Sequence, residues 1–340
     1  MPIIYAGVET GGTTWVTSIA VGSPSNITER GEFETTSPEE VIPRVVEWLK
    51  QHKFDALGIC SFGPIDVHED SDTYGFITTV PDTKKAWRNA DVLNKIKSLL
   101  ELPDSFPIGW DTDVNAPALA EYDSDDAISS CAYVTVGTGV GVGLVIGGHP
   151  VHGLLHGEGG HISVPRYPGD DYPGAKNLNC ENFDELESMC CSSALAARAN
   201  CTVSQLKDLP DDHKVWDIAA HYLACMCVNF ILAASPEKIV LSGGVMLRKC
   251  LFPMIRAKTQ LYLNTYINVP TITTEAIDKV IVPSEHGNKA GIVGALFLGK
   301  IALDEKNKGS LARAAAPQIM SHALVALAAV ALYSVLTRKK

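Results

Sequence analysis

The sequence predicts an α/β protein built from two lobes. Two turns rich in glycine and threonine, Gly7–Trp15 and Gly137–Gly143, each lie between short apolar runs. Runs typical of strands alternate along the chain with runs typical of helices, which is the pattern of α/β folds. With 340 residues, 46% of them hydrophobic, the chain is long enough for more than one lobe.

Composition and charge exclude several classes of function. The net charge is −11 and no basic run precedes the last three residues, so nucleic acid is not an expected partner. Nine cysteines are scattered through apolar runs, which is typical of reduced thiols in a cytosolic protein. Residues 1–6 carry neither a basic segment nor a long apolar core, so no signal peptide is expected there.

The first half is predicted to begin with a hairpin. Apolar, β-rich runs at Ile3–Val8 and Trp15–Val21 flank the first glycine turn. Apolar residues at helical spacing then predict a helix over Pro38–His52. The other predicted elements of this half are a strand over Ala56–Cys60 that ends in the turn Ser61–Pro64, a helix over Val92–Leu100 and a strand over Ile108–Trp110.

The second half repeats the arrangement of an apolar strand, a glycine turn and an apolar strand. Its predicted strands are Cys131–Val136 and Leu144–Ile146, on either side of the second turn. A long helix over Val215–Ala234 and a strand over Lys238–Leu241 follow, and this strand ends in the turn Ser242–Gly244. The two glycine hairpins indicate two related lobes that face one cleft.

The glycine turns are candidate phosphate-binding loops. Glycine lets a ligand approach the backbone closely, and backbone N–H groups with threonine hydroxyls bind oxyanions. A dinucleotide-binding unit needs a helix directly after its glycines, whereas the strand Leu144–Ile146 follows here, which argues against NAD. A purely structural hairpin is the alternative for either turn alone. The presence of a third glycine turn, at Gly243 and Gly244, favours phosphate binding.

Asp113 is the candidate general base. It follows a predicted strand and precedes a helix, where a carboxylate can accept the proton of a hydroxyl that attacks a phosphoryl group. Aspartate is also a favoured helix N-cap, so a structural role is the alternative. Asp111 is the competing carboxylate.

Residues suited to sugar hydroxyls follow in the second half. Glu158 and His161 lie three positions apart beside glycines, and Glu187 comes later. Their carboxylate and imidazole groups accept and donate hydrogen bonds in pairs, although a structural histidine is the alternative for His161. His152 and His156 are expected on a loop surface.

A possible membrane anchor lies near the C-terminus. Ile319–Leu336 is 18 residues without a formal charge, and Arg338–Lys340 follow it. As a helix it would reach roughly 27 Å, just enough for a thin bilayer. A buried or amphipathic terminal helix is the alternative. An anchored chain would face the cytosol, with the mitochondrial outer membrane as one candidate, and a soluble cytoplasmic protein is the other outcome.

Seven ordered motifs resemble the ROK family of sugar kinases, and within it the bacterial fructokinases. They span about residues 3–300 and read GVETGGTTW, SFGPIDV with TYGFITTVPDTKKAW, DTDVNAPALAE, YVTVGTGVGVGLV, HGEGGHISV, LSGGVM and GNKAGIVGAL. The resemblance implies the actin-like, hexokinase-type ATPase fold (ribonuclease H-like), with two lobes around a central cleft. The expected lobes are residues 1–117 and 118–303, followed by a linker, 304–318, and the possible anchor.

The resemblance also implies roles for individual residues. Asp113 is the implied base that deprotonates the sugar hydroxyl for attack on the γ-phosphate of Mg-ATP. The implied sugar contacts are Asn115, Glu158, His161 and Glu187. The implied contacts to ATP are Glu9, Gly11, Gly12 and Thr13 in the first loop, Gly137, Thr138 and Gly139 in the second, and Gly243 and Gly244 near the adenosine. Relatives of this kind are commonly homodimers.

Three departures from the family pattern limit this transfer. Glu9 replaces an Asp, and Thr14 stands where many members carry Lys, so Mg²⁺ is expected to carry more of the phosphate charge. Thr112 replaces an Asn before the catalytic Asp. Many relatives hold structural Zn²⁺ through the His matching His161 and a Cys cluster, of which this chain keeps only Cys180, so the zinc is expected to be lost.

The expected function is therefore ATP-dependent phosphorylation of a hexose, with fructose as the best specific candidate. Glucokinase or mannokinase activity is an alternative because one pocket can serve several hexoses. A weakened, membrane-tethered sugar sensor is a second alternative, suggested by Glu9, Thr14 and the missing cysteines. A sugar-responsive repressor is disfavoured because the chain starts at its first strand and is acidic.

Overall fold

The computed structural model describes residues 1–80, 82–124, 127–174 and 184–308. Their strands, in chain order, are β1 (Ile4–Thr10), β2 (Thr14–Val21), β3 (Ile27–Glu34), β4 (Ala56–Ser61), β5 (Phe76–Ile77), β6 (Ala90–Asp91), β7 (Ile108–Thr112), β8 (Ser130–Val136), β9 (Val140–Ile146), β10 (His149–Pro150), β11 (Lys238–Ser242) and β12 (Ile281–Pro283).

The α-helices of the same residues pack on these strands. In chain order they are α1 (Pro38–Leu49), α2 (Leu93–Leu99), α3 (Asn115–Asp123), α4 (Leu186–Cys190), α5 (Ser192–Arg198), α6 (Lys214–Ala233), α7 (Leu251–Leu263), α8 (Pro270–Thr273) and α9 (290–308). Short 3₁₀ helices connect several of them, and one, Asp82–Trp87, lies near the candidate site.

The first sheet has the strand order β3-β2-β1-β4-β7. Strands β1 and β2 form the predicted hairpin, with Thr10 opposite Trp15, and β4 and β7 continue the sheet in parallel. The edge strand β3 was not predicted because most of its side chains are exposed and polar. The parallel strands β1, β4 and β7 end at the same edge of the sheet, which is where the first glycine turn and Asp113 lie.

The second sheet repeats this arrangement in the order β10-β9-β8-β11-β12. Strands β8 and β9 form the second predicted hairpin, with Val136 opposite Val140, and β11 and β12 continue it in parallel. Both predicted glycine hairpins are therefore confirmed, and each opens a sheet of the same connectivity.

Helix α6 forms the centre of the second lobe's core. It is apolar on nearly every side and packs against α4, α5 and α7. By length and composition it could cross a membrane, but 72% of its most apolar window is buried inside the protein. Such burial is typical of a core helix. The predicted anchor, 319–336, lies outside the described residues.

Helices α3 and α9 contact both sheets, and the lobe bounds stay a prediction. Helix α3 spans position 117 and packs mainly on the second sheet, and α9, expected in the second lobe, packs on the first sheet and shares a core cluster with residues of the second. A Cβ on Gly58 would lie 1.7 Å from the Ala295 carbonyl oxygen, and one on Gly109 would lie 2.4 Å from that of Leu298. These glycines let α9 approach the first sheet closely. Residues 304–308 of the expected linker continue α9.

The contact between α9 and the first sheet gives a test of the fold. Gly58→Ala should reduce the free energy of unfolding by about 2 kcal/mol, because α9 must move away from β4. Gly153→Ala is the matched control, since a Cβ there meets no atom within 4 Å. Urea unfolding of both variants measures the difference, and equal stability of the two would contradict the packing.

Candidate functional site

The first glycine loop joins β1 to β2 and is closed by backbone and threonine hydrogen bonds. The Gly11 N–H donates to the Thr14 carbonyl at 3.1 Å, and the Thr35 hydroxyl donates to the Gly11 carbonyl at 2.7 Å. Thr35 also donates its N–H to the Thr13 carbonyl. Gly12 and Thr13 lie at the tip, where Thr13 is exposed. The loop is thus a fixed turn with an accessible tip.

The second glycine loop and the third glycine turn lie side by side. The Gly137 N–H donates to the Gly139 carbonyl at 2.8 Å, and the Gly137 carbonyl accepts from Ser192 at the start of α5. Gly243 has a φ of 90°, and a Cβ there would lie 2.4 Å from the Val136 carbonyl oxygen. Only glycine fits this approach. The neighbouring ends of β8 and β11 therefore bring the second loop and Gly244 together.

Asp113 lies directly after β7, at the carboxyl edge of the first sheet. Its N–H donates to the Ser61 carbonyl at 2.8 Å, which ties it to the end of β4. The Thr112 hydroxyl accepts from the Asn115 N–H at the start of α3 at 2.9 Å. The N-cap residue of α3 is Val114, without a side-chain capping hydrogen bond, so Asp113 is not at the N-cap position. The Asp113 side chain is left for other contacts.

Several charged groups surround the Asp113 carboxyl. Burial, opposed by Lys84 and assisted by Glu158, raises the pKa of Asp113 to about 6. Burial and the nearby Asp113 likewise raise the pKa of Glu9 to about 7. Desolvation and like charge both disfavour an ionised carboxylate. Asp113 is therefore poised to exchange a proton near neutral pH.

Asp111, the competing carboxylate, is buried in a hydrogen-bonded cluster. It is 2% exposed, its Oδ2 lies 3.0 Å from His152 Nε2, and its Oδ1 accepts from the Asn115 amide at 2.8 Å. The hydrogen bond that His152 makes with Asp111 raises the pKa of His152. Both oxygens of Asp111 are engaged, which favours Asp113 as the base. Asn115 as a sugar contact stays a prediction, and its buried amide already holds Asp111.

His156 was expected on a loop surface, and that prediction is wrong. Its side chain is buried, and its Nε2 accepts a hydrogen bond from the Ile65 N–H at 3.1 Å. Together with the pair of His152 and Asp111, this contact joins the loop after β10 to the first lobe. Sequence periodicity could not reveal the role of either histidine, because both partners lie far away along the chain.

The three residues predicted to contact a sugar, Glu158, His161 and Glu187, lie in one row beside the second glycine loop. Glu187 Oε2 accepts from the Val140 N–H at 2.9 Å. His161 Nε2 lies 4.0 Å from Glu158 Oε2, while its Nδ1 lies 3.1 Å from Glu185 Oε2. The structure therefore brings Glu158, His161 and Glu187 together, and Glu185 is an additional member that was not predicted.

The described residues do not fit a structural zinc site. Side-chain donors of His161, Glu185 and Glu187 lie within 4.8 Å of one another, and Glu185 Oε1 is buried without a hydrogen-bond partner. This set offers one nitrogen and carboxylates, whereas structural zinc takes four nitrogen or sulfur ligands. Cys190 lies in the core, where burial raises its pKa to about 12. Cys180 lies outside the described residues, so the loss of zinc stays a prediction.

Lys84 is a candidate site residue that was not predicted. Its Nζ lies 4.5 Å from the centre of the Phe62 ring, and a Cβ on Gly12 would lie 1.9 Å from that Nζ. The residue belongs to the segment 73–87 that carries part of the family resemblance. No local pattern indicates that a side chain at position 84 reaches the loop at position 12.

Comparison with known proteins identifies the family of this chain. Residues 5–301 match the ROK family. The chain belongs to the ROK family. It is 39% identical to a protein named fructokinase from Pediococcus pentosaceus, over 88% of this chain and 99% of that protein. It is 37% identical to a putative fructokinase of Bacillus subtilis strain 168, over 88% of this chain and 96% of that protein.

Solved ROK structures have the same fold. The ROK hexokinase from Thermus thermophilus matches with a TM-score of 0.66 and 23% identity, over 90% of this chain and all of that one. A ROK glucokinase from Streptomyces griseus, in complex with glucose and AMPPNP, matches with a TM-score of 0.65 and 21% identity, over 88% and 99% of the two chains. The expected actin-like, hexokinase-type ATPase fold is confirmed.

Proposed function

We propose that this ROK protein is an ATP-dependent fructokinase that converts fructose and ATP to fructose 6-phosphate and ADP. The observation that supports the proposal is the position of Asp113, a partly desolvated carboxylate at the end of β7 that interacts electrostatically with Glu158 and with Glu9, in the strand before the first glycine loop. Relatives at 37–39% identity that are named fructokinase support fructose as the substrate.

In the proposed reaction Asp113 accepts the proton of the attacking sugar hydroxyl. Its raised pKa suits a base that works near neutral pH, and phosphoryl transfer otherwise depends mainly on positioning and charge stabilisation. Mg²⁺ enters as part of the substrate Mg-ATP. The first loop (Gly11, Gly12 and Thr13) and the second (Gly137, Thr138 and Gly139) hold the phosphates, and Gly243 and Gly244 lie next to the adenosine.

Glu158, His161 and Glu187 bind the hydroxyls of the sugar. They form one polar row, and their partly exposed side chains can exchange water for a ligand. The Glu185 carboxylate fixes the orientation of His161 through Nδ1. Closure of the lobes over the sugar would exclude water and limit ATP hydrolysis.

The identity of the hexose is tested by ADP release with purified protein and a panel of fructose, glucose, mannose and N-acetylmannosamine. We expect fructose to give the highest kcat/KM. A higher value with glucose or mannose would support a glucokinase or a mannokinase, and a relative at 26% identity is named glucokinase. Binding of a sugar without ADP release would instead support the sensor.

The role of Asp113 is tested by Asp113→Asn. We expect kcat to fall by at least about 10²-fold while the sugar still binds, since the amide cannot accept the proton. Because the ionised carboxylate is the active form, kcat/KM of the unaltered enzyme should decline as the pH falls through about 6. Asp123→Asn, at the exposed end of α3, is the control. An active Asp113→Asn enzyme would assign the base to another group.

We also propose that Ile319–Leu336 anchors the kinase to a membrane, with the body of the protein in the cytosol. Formation of a homodimer is a separate prediction. The segment carries no formal charge and lies beyond the family match, which ends at residue 301. Carbonate extraction of the full chain and of a chain that ends at Lys308 tests this. We expect only the full chain to stay with the membranes, and equal extraction of both would rule the anchor out.

A further inference from the structure

The Lys84 ammonium lies between the first glycine loop and Asp113. It occupies the space that a side chain on Gly12 would fill, and it packs over the face of Phe62. Lys84 and Asp113 also interact electrostatically: the lysine lowers the pKa of the aspartate, and the aspartate raises that of the lysine. One cation is therefore close both to the loop proposed to hold phosphate and to the proposed base.

The backbone that carries Lys84 is held in place by Trp87. The Trp87 indole is 2% exposed, donates to the Thr36 carbonyl at 2.9 Å, and packs 5.4 Å from Trp15 and 5.6 Å from Phe62 between ring centres. Trp15 follows the first glycine loop directly. Trp87 therefore packs the segment that carries Lys84 against Trp15, next to the first glycine loop. This packing holds the segment and the loop close together.

The surroundings of Lys84 are rich in negative charge, which a cation would stabilise. Three carboxyl groups, those of Glu9, Asp113 and Glu158, interact electrostatically here. Burial together with Asp113 raises the pKa of Glu9. A triphosphate adds further negative charge. The Lys84 side chain is half-buried, and this desolvation lowers its pKa. A positive charge in such a place stabilises developing negative charge more strongly than one in water.

We propose that Lys84 is a catalytic residue whose ammonium contacts the phosphoryl group during its transfer from ATP to the sugar, an inference that rests on the proposed kinase function. The bond from the sugar oxygen to the γ-phosphorus forms while the bond from that phosphorus to the β,γ-bridging oxygen breaks. The hydroxyl proton passes to Asp113, ADP leaves with the bridging oxygen, and Lys84 stays protonated. Lys84 thereby stabilises part of the phosphate charge, of which Mg²⁺ was expected to carry more.

The test compares Lys84→Met with Lys85→Met, its exposed neighbour in the same segment. We expect the first variant to lose about 10²-fold in kcat and the second to match the unaltered enzyme. The KM for fructose should stay unchanged in both, because Lys84 acts on the phosphoryl group. Lys84→Arg keeps the charge and should recover part of the lost activity.

A pH profile separates catalysis from a merely structural or tuning role. Loss of Lys84 removes a positive charge near Asp113, while Glu9 and Glu158 remain, so the acid limb of kcat/KM should move to higher pH. The loss in kcat should persist well above that limb. A loss that disappears at high pH would mean that Lys84 only tunes Asp113, and would overturn the proposal.

Two further outcomes are decisive. Equal activity of Lys84→Met and Lys85→Met in an enzyme that phosphorylates fructose would overturn the role of Lys84 and leave the kinase function intact. Absence of sugar phosphorylation by the unaltered chain would reject the kinase function itself. Thermal unfolding checks that each variant is folded, and Lys84→Gln replaces Lys84→Met in the comparison if methionine lowers the melting temperature.

Discussion

The charge balance around the Asp113 carboxyl is the interaction on which the candidate site depends. The carboxyl is held at the end of β7, beside Glu9 and Glu158 and opposed by Lys84. Burial and the neighbouring carboxylates favour the protonated form of Asp113, and Lys84 favours its ionised form. Together they give a base of intermediate pKa next to a cation, a combination that suits both deprotonation and phosphoryl transfer.

Close contacts at glycines join the two sheets to the helices beside the candidate site. Gly58 and Gly109 admit α9 to the first sheet, and a Cβ on Gly143 would lie 2.1 Å from the Val114 carbonyl oxygen at the start of α3. Asp113 is thus followed directly by a segment that touches the second sheet. These glycines therefore let α9 pack on the first sheet and let the segment after Asp113 contact the second sheet.

Local patterns predicted the parts of the structure that local forces determine. The hairpins around Gly11 and Gly139 were predictable because a glycine turn between apolar runs folds from its own residues. The packing of α9 on the first sheet and the reach of Lys84 to Gly12 were not, since both depend on contacts between distant segments. His156 was misjudged for the same reason: its partner lies 91 residues away.

A crystal structure of the chain with fructose and a non-hydrolysable ATP analogue tests the central claim most directly. We expect the Asp113 carboxylate to lie about 2.6–3.2 Å from the attacking hydroxyl, with both glycine loops on the same triphosphate. A sugar hydroxyl bound at Asp111 instead, or a triphosphate that touches only one of the two loops, would contradict it.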